Sequence, residues 1–541
     1  MVTIRHTRAE AATRAVRDVR RRMQELKHSS VPKQLTASVL LALGFDRYNN
    51  YTAEEFDDLL TSFRLMAFSA SNASNFAVAY LASECLSKWA AKGLVETSDE
   101  QRKAAALSKF WECEAQCLEA NQRLVDWEGR ASLSSQREYI RRARSIIVGV
   151  LGSPFPWEEY PRACGFGPGA STCLKRENSS QQNKWQNSRH ITARCLPYLM
   201  AFQKWAALPD ASWEVEIVEG NHVTTVPKSW KTDRVIAIEP CWNSFFQKGV
   251  GKLIRRRLQR IGLLHKDAKE HHMHLAKTGS TDGYLATLDL SSASDTVAYG
   301  LVEALLPPEW LRVLADVRSE WMGEGESAYR YQKWSSMGNG YTFELETLIF
   351  YSLCAAVCSK DERGRISVFG DDMIVPSHRV PAIVDLLTAV GLTLNTKKSF
   401  WGSHPFRESC GGHYFRGEDV TPFYLRQPVV TVGDMVVLLN HLRTWGRRHD
   451  VPEFGSIWSR YARTIPQRLR GPDGVSGTLW CEWDFARPDY DPDLQAFRVL
   501  TVTRKHLWND VWSWSGSYLF KLWEGMGDEY DALETSYLSR A

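Results

Sequence analysis

Residues 366–376 read ISVFGDDMIVP, in which two short apolar runs flank a Gly-Asp-Asp turn. Apolar runs on either side of a glycine-containing turn are typical of a tight β-hairpin. The turn sets Asp371 and Asp372 side by side between the two strands. Because neighbouring carboxylates repel each other, this pair favours a divalent cation close by. An ordinary hairpin turn is the alternative for this stretch taken alone.

A second acidic stretch lies upstream, where residues 285–295 read LATLDLSSASD. An apolar strand leads into Asp289, and a run of small residues then leads to Asp295. An acid at the end of a buried strand costs free energy unless it meets a cation or another partner, and a helix N-cap is the alternative. Together, Asp289, Asp371 and Asp372 would supply the carboxylate oxygens that Mg²⁺ prefers. Two such ions about 4 Å apart can activate a 3′-hydroxyl and stabilise a leaving pyrophosphate.

The order of the elements around these acids indicates the fold class. Residues 335–346, SSMGNGYTFELE, predict a Ser/Gly loop that leads into a helix, either as a ligand-binding loop or as an ordinary helix entry. Apolar residues three and four positions apart predict a second helix at 381–390, and residues 392–395 are strand-like. The order strand, helix, hairpin, helix, strand predicts an α+β fold with a split βαβ antiparallel sheet.

A basic stretch precedes the acidic ones. Residues 226–240 read VPKSWKTDRVIAIEP, with Lys228, Lys231 and Arg234 at spacings of three. Cations beside a metal-bound triphosphate would neutralise its charge and position it. A solvated basic strand is the alternative.

Arginine and tryptophan residues alternate between residues 443 and 470. In one interpretation the cations hold phosphates while the aromatic rings stack on bases. In the other, the segment is an arginine-rich helix that covers a domain interface. The first interpretation assigns RNA binding to Arg443, Trp445, Arg447 and Arg448.

The composition excludes several classes of protein. In 541 residues, 67 Lys and Arg oppose 63 Asp and Glu, which argues against a highly basic coat or histone-like protein. No apolar run approaches the 18 residues of a membrane span, so no membrane association is predicted. The pairs Cys113/Cys117 and Cys354/Cys358 have helical spacing and predict buried free thiols in a reducing cytosol. The basic segment 1–27 predicts either a solvated helix or an arm that binds RNA or a partner.

These stretches, in this order, resemble the motifs of RNA-directed RNA polymerases of positive-strand RNA viruses. The closest resemblance is to the replicase catalytic subunit of the small single-stranded RNA bacteriophages, and it spans about residues 223–426. One departure is Phe369, where the family usually has Tyr. The residues that carry the resemblance are 226–228, 231–234, 289–295, 337–340, 406–411 and 419–424.

The resemblance implies a right-hand polymerase with fingers, palm and thumb, in which the split βαβ sheet is the palm. It implies an RNA-templated RNA polymerase that replicates a positive-strand RNA phage genome by adding NMPs to a 3′-hydroxyl, with release of pyrophosphate. The expected division is a helical N-terminal region joined to the fingers (1–150), fingers with the NTP-entry motif (151–280), palm (281–400), palm–thumb hairpin (401–430), and thumb with a helical C-terminal region (431–541).

The resemblance also implies a role for each motif residue. Asp289, Asp371 and Asp372 would be catalytic and bind two Mg²⁺ ions, which Mn²⁺ could replace. Asp295 would lie near the incoming ribose. The expected NTP-binding residues are Lys228, Lys231, Arg234, Asp295, Gly338, Thr342, Lys397 and Lys398, and the choice between the last two for a place near the pyrophosphate stays open.

The partners implied by the resemblance are template RNA and NTPs, the host translation elongation factors Tu and Ts, and a ribosomal RNA-binding protein. The implied location is the cytoplasm of the bacterial host.

Two other functions compete with this interpretation. A reverse transcriptase also pairs two Asp residues, but it favours another residue in place of Gly370 and a bulky side chain that blocks a 2′-hydroxyl. Asp295 could instead accept a hydrogen bond from that hydroxyl. A non-catalytic RNA-binding protein is disfavoured, because buried acids without a cation would destabilise the fold.

Overall fold

The computed structural model describes the backbone of residues 16–45, 51–89, 97–206, 214–424, 429–504 and 531–538. Side chains are described for all of these except 85–89, 503–504 and 531–538. Residues 1–15, which include part of the predicted basic segment, lie outside the described residues. The chain forms two compact units, one of Ser98–Thr421 and one of Met1–Thr97 with Pro422–Ala541.

The unit Ser98–Thr421 mixes helices and strands, as the α+β interpretation predicts. Its helices are Asp99–Leu124, Arg137–Leu151, Tyr160–Ala163, Gln181–Asn187, Leu196–Trp205, Cys241–Arg260, Ala268–Asp282, Ala293–Thr296, Tyr299–Leu305, Pro308–Val317, Thr342–Val357 and Val380–Ala389. Its strands are His190–Ile191, Glu216–Ile217, Gly220–Pro227, Asp233–Ile238, Leu285–Leu288, Trp321–Met322, Tyr329–Arg330, Ser367–Phe369, Asp372–Pro376, Phe406–Ser409, Gly412–Phe415 and Glu418–Asp419.

A three-stranded antiparallel sheet lies at the centre of this unit. Its order is Leu285–Leu288, Asp372–Pro376, Ser367–Phe369, and the last two strands form the predicted hairpin, here called the acidic hairpin. The predicted strand at 392–395 is present only as isolated bridges, such as Leu290 to Leu394. A turn interrupts the pairing there, because the amide of Lys398 donates to the carbonyl of Asn395.

The helix Thr342–Val357 forms the core beneath the sheet. Its predicted apolar stripe is buried, and so are most of its other side chains. A helix that is apolar on nearly every side must be covered on every side. It packs against the helices Arg137–Leu151 and Cys241–Arg260 and against the strand Ser367–Phe369. Each fully buried Leu or Ile contributes about 1.5–3 kcal/mol, so this helix holds the acidic hairpin in place.

A second sheet carries the basic stretch. Gly220–Pro227 and Asp233–Ile238 pair as an antiparallel hairpin, in which Val226 lies opposite Arg234. Trp321–Met322 and Tyr329–Arg330 complete a four-stranded sheet. The basic residues predicted to meet a triphosphate therefore lie at one end of this hairpin.

The other unit is helical over residues 432–462, as predicted, but it also contains a sheet. The prediction of a helical C-terminal region is wrong for the described residues after 488. An antiparallel sheet forms there from Asp489–Asp491, Ala496–Arg504 and Asp531–Leu538. Residues 500–503 read LTVT, an alternation of apolar and polar residues that is typical of a strand. The helices are Val31–Ala42, Ala53–Phe68, Ala73–Trp89, Val432–His449, Pro452–Ala462 and Trp483–Ala486, and the remaining strands are Arg470–Gly471 and Leu479–Trp480.

The cysteines are of two kinds. Cys113, Cys117, Cys354 and Cys358 are buried free thiols, as the helical spacing predicts. Cys173 and Cys241 form a disulfide that the sequence analysis did not predict. Among the described residues, no helix combines the length and apolarity that a membrane span requires.

Candidate active site

The sheet register brings the predicted acids together. Leu288 pairs with Met373 in antiparallel register, so one step further Asp289 lies opposite Asp372. Asp371 lies in the exposed turn of the acidic hairpin. Residues separated by more than 80 positions thus form one acidic cluster at the end of the central sheet.

Glycine is required at the turn of the acidic hairpin. Gly370 has a φ of +63°, and a Cβ there would lie 2.6 Å from the ring of Phe343. Its amide donates to Oγ1 of Thr347 at 2.9 Å, which ties the turn to the core helix. Phe369 packs edge-on against Phe343, with 5.0 Å between ring centroids. The ring at position 369 therefore packs against the core helix. Phe can make this contact as Tyr would.

Burial, followed by like charge, disfavours the ionised form of Asp372 in the acidic cluster. Burial and the charge of Asp371 raise the pKa of Asp372 to about 7, although the amide of Cys410 donates to Asp372 Oδ2 at 3.2 Å. The charge of Glu408, on a neighbouring strand, raises the pKa of Asp372 further. The contacts that protein groups make with Asp372 therefore do not offset burial and the neighbouring charges.

Asp289 has direct contacts with an amide and with a lysine side chain. Asn395 Nδ2 donates to its Oδ1 at 2.9 Å, and Lys398 Nζ lies 3.7 Å from its Oδ2. Burial raises the pKa of Asp289, the contacts with Lys398 and Asn395 oppose that shift, and the charge of Asp371 adds to it. Both Lys397 and Lys398 are exposed, and the ion pair with Asp289 is what distinguishes Lys398 from the lysine beside it.

The acidic cluster fits a divalent cation in its chemistry. Among the described residues, no group of three His, Cys, Asp or Glu side chains already surrounds a common point as metal ligands. Hard cations nevertheless take carboxylate oxygens that would otherwise repel one another. Burial and then the charge of Asp371 raise the pKa of Asp372, and a bound cation would offset both. To bind a cation through Oδ2, Asp289 would exchange its contact with Lys398 for the metal.

The predicted basic residues differ in their surroundings. Desolvation and the charges of Arg234 and Lys398 lower the pKa of Lys228, while Asp289 and Asp295 oppose that shift. Lys228 therefore lies within electrostatic reach of the acidic cluster. Lys231 lies over the ring of Trp230 at 4.8 Å, and Arg234 is exposed on its strand.

The Ser/Gly loop lies against the strand that carries Arg234. The amide of Ala237 donates to the carbonyl of Met337 at 2.8 Å, and Gly338 has a φ of +119°. A Cβ at Gly338 would lie 2.1 Å from the carbonyl oxygen of Ala237. The Thr342 hydroxyl pairs with Ser335 Oγ at 2.8 Å, so it shapes the loop from within. Gly338 thus allows the backbone contact that joins the loop to the basic hairpin.

Replacing Gly338 with Ala is expected to lower the free energy of unfolding by about 1–3 kcal/mol, the cost of a non-glycine residue in a glycine-only conformation. The added methyl group would also force the loop away from Ala237. Thermal or denaturant unfolding measures the effect. Gly364→Ala is the matched control, since a Cβ at Gly364 meets no atom within 4 Å. Equal stabilities of the two variants would contradict this account of the loop.

Sequence reasoning missed Lys333 and Glu114. Lys333 is only 1% exposed, and its Nζ lies 2.7 Å from Asp295 Oδ1 and 3.9 Å from Glu114 Oε1. A signal was available, because residues 331–334 read YQKW, and a lysine between aromatic residues at a buried position needs an anionic partner.

Glu346 was also missed. It is 7% exposed, and its Oε1 accepts no hydrogen bond. Burial, followed by the charges of Asp371 and Asp295, raises the pKa of Glu346. The acidic cluster therefore extends into the helix Thr342–Val357. A glutamate among the apolar residues of that helix was the signal in the sequence.

The arginine–tryptophan segment of the other unit favours the packing alternative. Trp445 is 4% exposed and packs against Phe423 and Phe454, so its ring does not offer a face to a base, contrary to the first interpretation. Arg443 is buried and bonds Glu482 at 2.8 Å, and Arg447 bonds the same carboxylate at 2.8 Å. Arg448 is exposed.

Comparisons with known proteins agree on one family. The family described as RNA replicase, beta-chain, matches residues 38–479. The RNA-directed RNA polymerase subunit beta of Enterobacteria phage SP is 39% identical over 74% of this chain and 70% of its own length. The corresponding subunit of Escherichia virus Qbeta is 39% identical over 74% and 68%. The RNA-directed RNA polymerase beta chain of Escherichia phage MS2 is 33% identical over 82% and 84%.

Solved structures also match, among them one of an RNA-dependent RNA polymerase. It is titled "In situ structure of BmCPV RNA-dependent RNA polymerase at elongation state" and is 12% identical over 74% of this chain and 37% of its own. Its TM-score of 0.34 is too low to support an inference about the fold.

Proposed function

Because the chain belongs to the RNA replicase beta-chain family of RNA phages, and is thus an RNA-directed RNA polymerase, we propose that its acidic cluster is the catalytic centre. There it adds NMPs to the 3′-hydroxyl of a growing RNA and releases pyrophosphate. The observation that supports this proposal is the register that sets Asp289 opposite Asp372, with Asp371 in the adjoining turn.

Asp289, Asp371 and Asp372 would hold two Mg²⁺ ions, which Mn²⁺ can replace. When bound, the ions would supply the positive charge that activates a 3′-hydroxyl and stabilises a leaving pyrophosphate. The support is the donor set itself, carboxylate groups whose ionised form is disfavoured by burial and by neighbouring acids, and which a cation would stabilise.

The basic residues would bind the triphosphate of the incoming nucleotide. Lys228, within reach of the carboxylates, would hold the phosphates nearest the reaction, and Lys231 and Arg234 would line the entry. Lys398, beside Asp289, would hold the departing pyrophosphate. The support is the electrostatic coupling of Lys228 to Arg234, Lys398, Asp289 and Asp295.

Asp295, Gly338 and Thr342 would select and place the nucleotide. Asp295 would accept a hydrogen bond from the ribose 2′-hydroxyl, and the loop shaped by Gly338 and Thr342 would lie beside the base pair that forms with the template. The support is the electrostatic coupling of Asp295 to Lys228 and the packing of the loop on the basic hairpin.

Architecture and partners follow from family membership. We propose fingers at 151–280, a palm at 281–400 around the central sheet, a palm–thumb hairpin at 401–430 and a thumb from 431. Template RNA, NTPs, elongation factors Tu and Ts and a ribosomal RNA-binding protein would be the partners, in the cytoplasm of the bacterial host.

A polymerase assay tests the proposed function. The purified full chain, with and without elongation factors Tu and Ts, receives an RNA template, four NTPs and Mg²⁺. We expect RNA product that requires the template, disappears when EDTA removes the metal, and returns when Mg²⁺ or Mn²⁺ is restored. Undiminished synthesis in EDTA would contradict the metal assignment, and absence of product in every mixture would contradict the proposed centre.

A further inference from the structure

We propose that Lys333 is a positioning residue for sugar selection, which holds Asp295 so that one carboxylate oxygen remains to accept the ribose 2′-hydroxyl. This inference rests on the proposed function, because it takes Asp295 as the group that meets the ribose. Lys333 itself would not touch the nucleotide. It would act only through the orientation of Asp295.

The contact between the two residues is short and shielded. Lys333 Nζ lies 2.7 Å from Asp295 Oδ1, and the Lys333 side chain is 1% exposed while that of Asp295 is 22% exposed. Water therefore reaches the carboxylate but hardly reaches the ammonium. Because an ion pair shielded from water is stronger than an exposed one, the lysine can fix the orientation of the aspartate.

Glu114 gives Lys333 a second carboxylate neighbour. Its Oε1 lies 3.9 Å from Lys333 Nζ, and its Oε2 accepts the amide of Gln332 at 2.6 Å. Burial raises the pKa of Glu114, and the charge of Lys333 opposes that shift. A buried ammonium needs compensating charge, and Glu114 supplies it from a helix distant in sequence.

Aromatic rings and backbone pairing restrict Lys333 further. Its Nζ lies 4.3 Å from the ring centroid of Phe110 and 5.3 Å from that of Tyr331. The backbone of Lys333 bridges to Ala298, just beyond the short helix that carries Asp295. Lys333 is thus linked to Asp295 by its side chain and to the segment that follows Asp295 by its backbone, which leaves the carboxylate little freedom to rotate.

The arrangement divides the two oxygens of Asp295 between two tasks. Since Oδ1 accepts from Lys333, Oδ2 is the oxygen that remains for the ribose hydroxyl. A bound deoxynucleotide would exclude water from Oδ2 without offering a hydroxyl in its place, and the unpaired oxygen would count against that substrate. Without Lys333 the carboxylate could turn, and the penalty against a deoxynucleotide would fall.

The test compares the kcat/KM of the full chain for ATP and for dATP on one RNA template. Lys333→Met, which keeps the length of the side chain but removes its charge, should lower the ATP/dATP ratio by about tenfold, the equivalent of one hydrogen bond. Asp295→Ala should lower the ratio at least as much, and the double variant should show no further loss.

Lys184→Met is the matched control. Lys184 is also a buried lysine, but its Nζ donates to the carbonyls of Gly167 and Gly169 rather than to a carboxylate. It should lower the melting temperature as a buried substitution does, with the parental ATP/dATP ratio. A fall in the ratio for Lys184→Met equal to that for Lys333→Met would reduce Lys333 to a structural role and overturn the inference.

The outcomes distinguish a failure of the ribose assignment of Asp295 from a failure of the role of Lys333. If Asp295→Ala keeps activity and the parental ratio, the ribose assignment of Asp295 fails, and the inference fails with it. If Asp295→Ala lowers the ratio and Lys333→Met does not, only the role of Lys333 is overturned. Should Lys333→Met not fold, the isosteric Glu114→Gln takes its place, and a lowered ratio supports the inference while an unchanged ratio overturns it.

Discussion

Replacing Asp371 with Asn is expected to lower the rate of nucleotide incorporation by about 10³-fold or more, because metal-centred charge stabilisation is worth several kcal/mol. Asp289→Asn and Asp372→Asn should have effects of the same order, since the three carboxylates would share the same ions. The fold should survive each change. Asn is nearly isosteric with Asp, and Asp371 is exposed in its turn.

The measurement is single-turnover incorporation of one NMP, beside circular dichroism and a thermal melt. Asp385→Asn is the matched control, because Asp385 is an exposed carboxylate on the helix Val380–Ala389 of the same unit. That variant should incorporate at the parental rate. A folded Asp371→Asn protein that extends RNA nearly as fast as the parent would show that this carboxylate holds no essential ion.

Lys398→Ala is expected to reduce incorporation by about 10²-fold, within the range attributed to a positioned acid or cation. Its ammonium lies 3.7 Å from Asp289 Oδ2, where it can stabilise charge on a departing pyrophosphate. Lys397→Ala supplies the matched control, because Lys397 is adjacent and equally exposed but Lys398 is the one that pairs with Asp289. We expect the Lys397 variant to stay within about threefold of the parent, as surface changes do.

The difference between the two lysine variants can be measured in both directions of the reaction, incorporation and pyrophosphorolysis. If Lys398 holds pyrophosphate, its removal should slow pyrophosphorolysis as well as incorporation, and the apparent KM for pyrophosphate should rise. Equal effects of the two lysine substitutions, or a larger effect at Lys397, would contradict the assignment of Lys398.

The family, the α+β class and the acidic hairpin could be predicted from the sequence, and the comparisons and the structure confirm them. The hairpin is local, with Phe369 opposite Asp372 across a turn in which Gly370 supplies the positive φ. Short-range backbone geometry therefore decides it, and short-range geometry can be read from neighbouring residues. The buried helix Thr342–Val357 was predicted for the same reason, from apolar residues three and four positions apart.

Other features depend on contacts between distant residues, and the sequence analysis missed them or interpreted them wrongly. Trp445 looked equally suited to stacking on a base and to a core, and only its packing against Phe454 distinguishes the two. The disulfide between Cys173 and Cys241 joins residues that no local pattern relates. The predicted strand at 392–395 has strand-like residues, but the turn that follows limits its pairing to isolated bridges.

The sequence by itself determined which residues carry charge and reactive groups, and in which local elements they lie. It therefore named Asp289, Asp371 and Asp372. Only the tertiary structure decided what each group faces: Asp289 beside Lys398 rather than Lys397, and Asp295 against the buried Lys333. The physical reason is that local conformation follows from neighbouring residues, whereas burial and ion pairing depend on elements that chain folding brings together from far apart in sequence.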